Sequence, residues 1–239
     1  MYKIILVTGG QGAIGQGIIK KLVSKDYKFF SLDISGNDKK TQDGIYKKVD
    51  LCDMESLKLA FKDGINELDG KLHGWVHAAG TIQVQALENL EWEVLESEFT
   101  SNVKPIINIL KLILPIARKN NGFNIVLISS LFGLETVFGL SPYSLPKNSV
   151  IALSKSIALE FGKDGIRSNS ICPGLVRTGF TRSFMEKIIK ENKNSMNKFT
   201  NLPSSYVKID DISSIIVALM ENKSMNGSNI VIDQGYSIF

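Results

Sequence analysis

Tyr143 and Lys147 stand four residues apart in the run Ser141-Pro142-Tyr143-Ser144-Leu145-Pro146-Lys147. On a helix that spacing puts both side chains on one face. An ammonium beside a phenol favours the phenolate and lowers its pKa from roughly 10, making Tyr143 a general acid/base usable near neutral pH. Surface helices carry many such pairs, so position decides the weight of this one. Upstream, Ser129 and Ser130 close a buried-looking strand, Asn124–Ile128. Downstream, Pro173-Gly174 follows another, Arg167–Ile171. Open α/β sheets form their ligand crevice at the carboxyl ends of such strands, so three segments converge on one rim.

A second constellation lies at the N-terminus. Gly10-x-Gly12-x-x-Gly15 follows the apolar run Ile4–Val7 and opens a helix-period segment. Glycines there serve a tight turn, close backbone approach to a pyrophosphate, and close helix–strand packing. The helix start adds unpaired N–H groups and a positive dipole end. A glycine-rich turn can also simply connect a strand to a helix, and no Lys-Ser or Lys-Thr follows to make a nucleoside-triphosphate loop. Asp33 adds the missing specificity. It ends the run Phe29-Phe30-Ser31-Leu32-Asp33, 18 residues beyond Gly15, where a carboxylate can accept from an adenosine ribose. Loop and acid together point to NAD.

The elements that must carry these residues alternate. Strands are predicted at Lys3–Thr8, Lys28–Asp33, Ile45–Val49, Gly74–Ala78, Asn124–Ile128, Arg167–Ile171 and Asn229–Ile232. Helices are predicted at Ile14–Ser24, Met54–Leu68, Trp92–Arg118, Ser141–Phe161 and Asp210–Met220, with Ser141 as N-cap and Pro142 at the first helical position. This order implies an α/β, Rossmann-type doubly wound parallel sheet of about seven strands with helices on both faces. No repeat or composition break divides residues 1–239, which read as one dinucleotide-binding catalytic domain. Residues 178–207, rich in Asn, Lys and Ser, read as a mobile substrate loop.

Composition narrows the classes. Of 239 residues, 44% are hydrophobic and 22% charged, ordinary for a chain with a real core. The net charge of +4 is interleaved with acids, and the basic stretch Lys187 to Lys198 reads as a solvated helix face, so no nucleic-acid partner is expected. Cys52 and Cys172 form no CxxC pair, the first apolar run is too short for a signal peptide, and Lys111 interrupts the tract Ile106–Ala117. The expectation is a cytoplasmic protein with no membrane span. His73 and His77 share one strand without a third ligand, so no metal is expected.

The chain resembles the compact, single-domain branch of the short-chain dehydrogenase/reductase family along almost its full length. The shared marks are Thr8-Gly9 with Gly15, Asp50-Leu51, His77-Ala78-Ala79-Gly80, Asn102, Ser130, Tyr143-x-x-x-Lys147, Pro173-Gly174 and Thr178, with 13 residues from Ser130 to Tyr143. The resemblance implies that Tyr143 exchanges a proton with the substrate oxygen. Lys147 lowers its pKa and hydrogen-bonds the nicotinamide ribose, Ser130 binds the substrate oxygen, and Asn102 anchors a relay water. It implies a cofactor site of Gly9, Gln11, Gly12, Ile14, Gly15, Asp33, Asp50, Leu51, His77, Ala79, Gly80, Tyr143, Lys147, Pro173, Gly174, Val176 and Thr178. It also implies a homodimer or homotetramer, in which apolar residues of the helices around Asn102 and Tyr143 (Ile106, Ile109, Leu110, Ile113 and Leu114; Ile151, Leu153, Ile157 and Leu159) meet a second copy.

Three departures from the family pattern stand out. Ala13 takes a glycine position, leaving the Gly9-x-x-Gly12-x-x-Gly15 spacing of a longer, sugar-nucleotide-modifying branch whose substrate domain has no room here. His77 replaces an asparagine, where its backbone can still serve. Pro146 removes one N–H early in the helix, where that cost is small. The expected activity is NAD-dependent interconversion of a secondary alcohol and a ketone. One rival is an NADPH-dependent 3-oxoacyl-carrier-protein-type reductase. Another is a catalytically silent nucleotide-sensing or scaffold protein, against which intact Asn102, Ser130, Tyr143 and Lys147 argue. The substrate is not readable. Phe132, Leu134, Val137 and Phe138, with Phe180, Phe184 and Met185, could form an apolar pocket lip or ordinary core.

Overall fold

The computed structural model describes residues 2–68, 70–120, 122–179, 181 and 206–238. Its centre is one sheet. In chain order come β1 (Tyr2–Thr8), α1 (Ala13–Val23), β2 (Lys28–Asp33), β3 (Lys39–Lys40), β4 (Gly44–Lys48), α2 (Met54–Glu67) and β5 (Gly70–His77). There follow α3 (Trp92–Asn102), α4 (Lys104–Ala117), β6 (Phe123–Ile128), α5 (Ser141–Phe161), β7 (Ile166–Pro173), α6 (Ile209–Glu221) and β8 (Asn229–Ile232). The spatial order is β3-β4-β2-β1-β5-β6-β7-β8. From β1 the chain builds outward through β2 and β4, then returns to the other side of β1 at β5. That reversal opens a crevice at the carboxyl ends of β1 and β5.

Alternation along the strands feeds two cores. Ile4, Leu6, Phe30 and Leu32 face Leu57 and Phe61 of α2, Ile106, Ile109 and Ile113 of α4, and Val150 and Ile157 of α5. Ile5, Val7, Phe29, Val76 and Val126 face Ile18 and Leu22 of α1 and Ile212 and Ile216 of α6. Both faces of the central strands are covered, so they read as unbroken apolar runs rather than alternating ones.

The structure departs from the sequence expectations in three places. The sheet has eight strands, because Lys39–Lys40 adds a short antiparallel edge to β4. The stretch Trp92–Arg118 is two helices that break at Val103 (φ −113°, ψ −49°). Pro105 is the reason: it has no N–H to donate back, and its ring crowds the carbonyl four residues earlier. At α5 the N-cap is Leu140, with no side-chain cap, and Ser141 is the first helical residue. Pro142 occupies the first turn, and α5 runs through Pro146 to Phe161 without a break. Most of 178–207, including Phe180, Phe184, Met185 and the basic stretch, lies outside the described residues. Among the described residues, no helix is long and apolar enough to cross a membrane.

Candidate active site

The glycine loop is held by close backbone packing. Gly9 takes a left-handed φ of +79°, and a Cβ there would stand 2.4 Å from the backbone nitrogen of Ala79. A Cβ on Gly15 would stand 2.1 Å from the Gly9 carbonyl oxygen. Gly12 differs: its nearest neighbour would be the Gly9 oxygen at 3.4 Å, and it caps α1 without a side chain. Asp33, at the end of β2, ties the loop down. Its Oδ2 accepts from the Gln11 backbone N–H at 2.9 Å and its Oδ1 from that of Ser35 at 2.8 Å.

Beyond this loop lies a cavity of about 340 Å³, walled by Gly9, Gln11, Gly12, Asp33, Asp50, Leu51, Ala79 and Gly80. Asp50 is fixed by accepting from the Cys52 backbone N–H at 2.8 Å. A second cavity of about 200 Å³ adjoins it across Gly12 and Gly80, walled by Ile14, Gly15, Ser130, Tyr143, Lys147, Pro173, Gly174, Val176 and Thr178. Gly174 donates to the Ile232 carbonyl at 2.9 Å, which pins this rim to β8. Thr178 Oγ1 accepts from the Thr181 backbone N–H at 3.1 Å.

Ser129 joins the reactive helix to the sheet: its hydroxyl donates to the Lys147 carbonyl at 2.7 Å. The Lys147 ammonium donates to the Ile128 carbonyl at 3.4 Å and lies 5.6 Å from the centre of the Tyr143 ring. Both side chains are buried, and here the electrostatics differ from the sequence expectation. Burial pushes the Tyr143 phenol up to about 12, with a Ser130 hydrogen bond opposing the rise. Burial also lowers Lys147 to about 8. Desolvation disfavours the charged form of both groups, and at this separation it outweighs the help that the ammonium was expected to give.

Two of the sequence candidates stand outside both cavities. Asn102 is wholly buried behind Gly80. The His77 ring is buried in the sheet, its Nδ1 2.7 Å from the Thr8 hydroxyl, and burial lowers it to about 3. Phe132 is core, packed with Leu131, Leu140, Tyr143, Leu175 and Tyr236, whereas Leu134 and Phe138 are exposed. Sequence reading missed Thr81, Thr181, Cys52 and Ser101 as cavity walls, and Glu98 as a buried acid. Only Glu98 left a signal in the sequence: it precedes Asn102 by four residues, one helical turn.

The pair of cavities fits a dinucleotide. Gly12 lines both cavities at the mouth of α1, whose first N–H groups lack intrahelical partners. Asp33 keeps lone pairs on both oxygens for ribose hydroxyls beyond its two backbone bonds.

Comparison with known proteins also points to a nicotinamide cofactor. The sequence profile of the family described as short chain dehydrogenase matches residues 3–189. Oxidoreductase UcpA of Escherichia coli strain K12 is 28% identical, over 99% of this chain and 95% of its own. Carbonyl reductase family member 4 of Xenopus laevis is 28% identical, over 100% and 99%. The crystal structure of a short chain dehydrogenase from Mycobacterium paratuberculosis, bound to NAD, superposes with a TM-score of 0.88 at 22% identity, covering 99% of this chain and 98% of that one. The chain therefore belongs to the short chain dehydrogenase family, enzymes that oxidise or reduce their substrates with a nicotinamide cofactor.

Proposed function

We propose that the protein interconverts a secondary alcohol and a ketone with NAD, and that Tyr143 moves the proton. The observation that carries the proposal is one cavity wall formed by Ser130, Tyr143 and Lys147 at the nicotinamide end of the groove. In oxidation, Ser130 holds the substrate hydroxyl and the Tyr143 phenolate takes its proton. Lys147 orients the ribose and supplies positive charge to the phenolate. Ile14, Pro173, Gly174, Val176 and Thr178 along this cavity would hold the nicotinamide half of NAD, which would supply the hydride acceptor. In reduction, the Tyr143 hydroxyl returns the proton to the carbonyl oxygen. Asn102 holds the relay water behind Gly80, and the remaining glycine-loop and rim residues hold the dinucleotide. A screen of alcohols and ketones followed by nicotinamide absorbance tests the activity, and no turnover with any of them counts against it.

Asp33 supports NAD over NADP. Its carboxylate would face the extra phosphate of NADP, like charge against like charge. Two of the cations on this side are engaged elsewhere: Lys40 donates to the Glu67 carbonyl at 3.3 Å, and Lys47 pairs with Glu67 at 2.6 Å. Lys39 borders an open groove shared with Gln11 and Asn37, and through it an NADPH-dependent reductase reading would have to work. NAD should bind at least ~100-fold tighter than NADP, about 2.7 kcal/mol. Asp33→Ser should narrow that gap mainly by improving NADP binding. Equal affinities in the wild type, or an NADP preference lost in Lys39→Ala, would favour the 3-oxoacyl-type reductase. The same reading includes a homodimer or homotetramer, a cytoplasmic location, and no nucleic-acid or membrane partner.

A further inference from the structure

Glu98 is a buried ionisable group that the reaction described above does not use. It lies on α3, one turn before Asn102, and none of its surface reaches solvent. A carboxylate in such a place is costly unless it is hydrogen-bonded and offset by opposite charge. Both oxygens are bonded: Oε1 accepts from the Thr81 hydroxyl at 2.7 Å and Oε2 from the Asn102 amide nitrogen at 3.2 Å. The same nitrogen also donates to the Glu98 carbonyl at 3.0 Å.

With its NH₂ group turned toward Glu98 and toward the Thr81 carbonyl at 3.3 Å, the Asn102 amide presents Oδ1 the other way. That oxygen is buried and has no hydrogen-bond partner in the protein. A Cβ placed on Gly80 would stand 2.5 Å from it and 3.1 Å from the Lys147 ammonium, so the two atoms flank one small gap. The array thus runs from a buried carboxylate, through one amide, to a buried ammonium.

We propose that Glu98 is a positioning residue of this site: it fixes the orientation of Asn102 and is the counter-charge that keeps Lys147 cationic. The inference rests on the reading of Lys147 and Tyr143 given above. Burial lowers Lys147, and the Glu98 charge opposes that fall. Reciprocally, burial raises Glu98 while Lys147 opposes the rise. The other titratable groups around the cluster are Tyr143 of α5, His77 of β5 and Cys172 of β7, which burial keeps in their neutral forms near pH 7. Lys104, at the start of α4, acts on Cys52 and Asp53 instead.

Glu98→Gln keeps the shape and an oxygen for Thr81 but removes the charge, and it sets an NH₂ against the Asn102 NH₂ where an acceptor stood. The ammonium is then less favoured, so Lys147 should lose its proton at lower pH. Two readouts follow this. In protein carrying ¹³Cε-labelled lysine, with the Lys147 signal identified by its loss in Lys147→Arg, the titration midpoint should fall by ~0.5 pH unit or more. NADH affinity, followed by fluorescence, should begin to weaken with rising pH correspondingly earlier. Glu98→Asp keeps the charge but cannot span both partners, so its midpoint should stay near that of the wild type while affinity drops. Unchanged midpoints in Glu98→Gln, with loss only of thermal stability, would overturn the proposal and leave Glu98 a structural anchor. Should Glu98→Gln not fold, the wild type decides: its Lys147 signal must show a second inflection as Glu98 titrates, and a single-step curve overturns the proposal. NADH affinity that is indifferent to Lys147→Ala would instead sink the nicotinamide reading, and the lysine titration would still judge Glu98 by itself.

Discussion

A phenol pushed up to about 12 is a poor base at pH 7, so the proton step must draw on charge gathered around Tyr143. Tyr143→Phe keeps the packing and removes the proton. Turnover should fall at least ~100-fold, the usual scale for a general acid/base, while NADH affinity barely changes. Lys147→Ala should lower both, because it removes two contacts at once. Steady-state kinetics beside NADH titration separates the two outcomes. His77 gives a pH test of the fold. Its folded value is near 3 against an ordinary value of about 6.5, so below pH 6.5 the unfolded chain takes up a proton that the native state refuses. Stability is therefore fully present above pH 6.5 and drains away toward pH 3. Between pH 7 and pH 4 the wild type should lose about 3 kcal/mol more than His77→Asn, read from urea midpoints. A parallel decline in both proteins would contradict this. The Tyr143 and Lys147 pairing was legible because it is local, one turn of one helix. The direction of the Tyr143 shift was not, because it depends on burial against Leu131, Phe132, Leu140, Leu175 and Tyr236, most of them distant in the chain.

Two glycines of the same loop should respond differently, because their surroundings differ. Gly15→Ala would drive a methyl into the Gly9 carbonyl, a backbone atom that cannot step aside, and should destabilise the protein itself. Gly12→Ala meets ordinary contact at 3.4 Å and should fold normally. It adds a methyl to a residue that borders both cavities, so NADH affinity should fall ~10-fold or more, the scale of a single misplaced contact. Thermal melts without cofactor and NADH titrations of both variants check this; equal melting losses would show that the two sites are not distinct. Legibility at this scale followed the same division. Strand runs and the glycine turn were readable from period and composition. The Val103 break was not, because apolar spacing continues from Val94 through Leu114 and masks Pro105. The Lys39–Lys40 edge was not either, since two lysines become a strand only by pairing with Tyr46 and Ile45.

The sheet order decides what the whole molecule presents. Ile106, Ile109 and Ile113, expected from the sequence at an interface, are buried in the core. Leu159, 85% exposed, with Leu145 on the same helix and Ile107 on α4, stays at the surface, and there we place the proposed contact with a second copy. Closed symmetry is the usual outcome for such a face. Light scattering at micromolar concentration should give a dimer or tetramer, and Leu159→Glu should shift it toward the monomer; a monomeric wild type would refute the assembly. Doubly wound topology was legible because alternation of elements survives without any tertiary information. The partition of apolar residues between core and surface was not, because it depends on which helix face meets the sheet. The two cavities share Gly12, Ala78 and Gly80 as a common floor. Each half of a dinucleotide is therefore a small ligand in its own right, and the pyrophosphate acts as a tether. Once one half is seated, the other arrives at an effective concentration set by the linker, in the millimolar range for short flexible ones, rather than by its amount in solution. Adenosine monophosphate and nicotinamide mononucleotide supplied together should bind far more weakly than the same two groups joined.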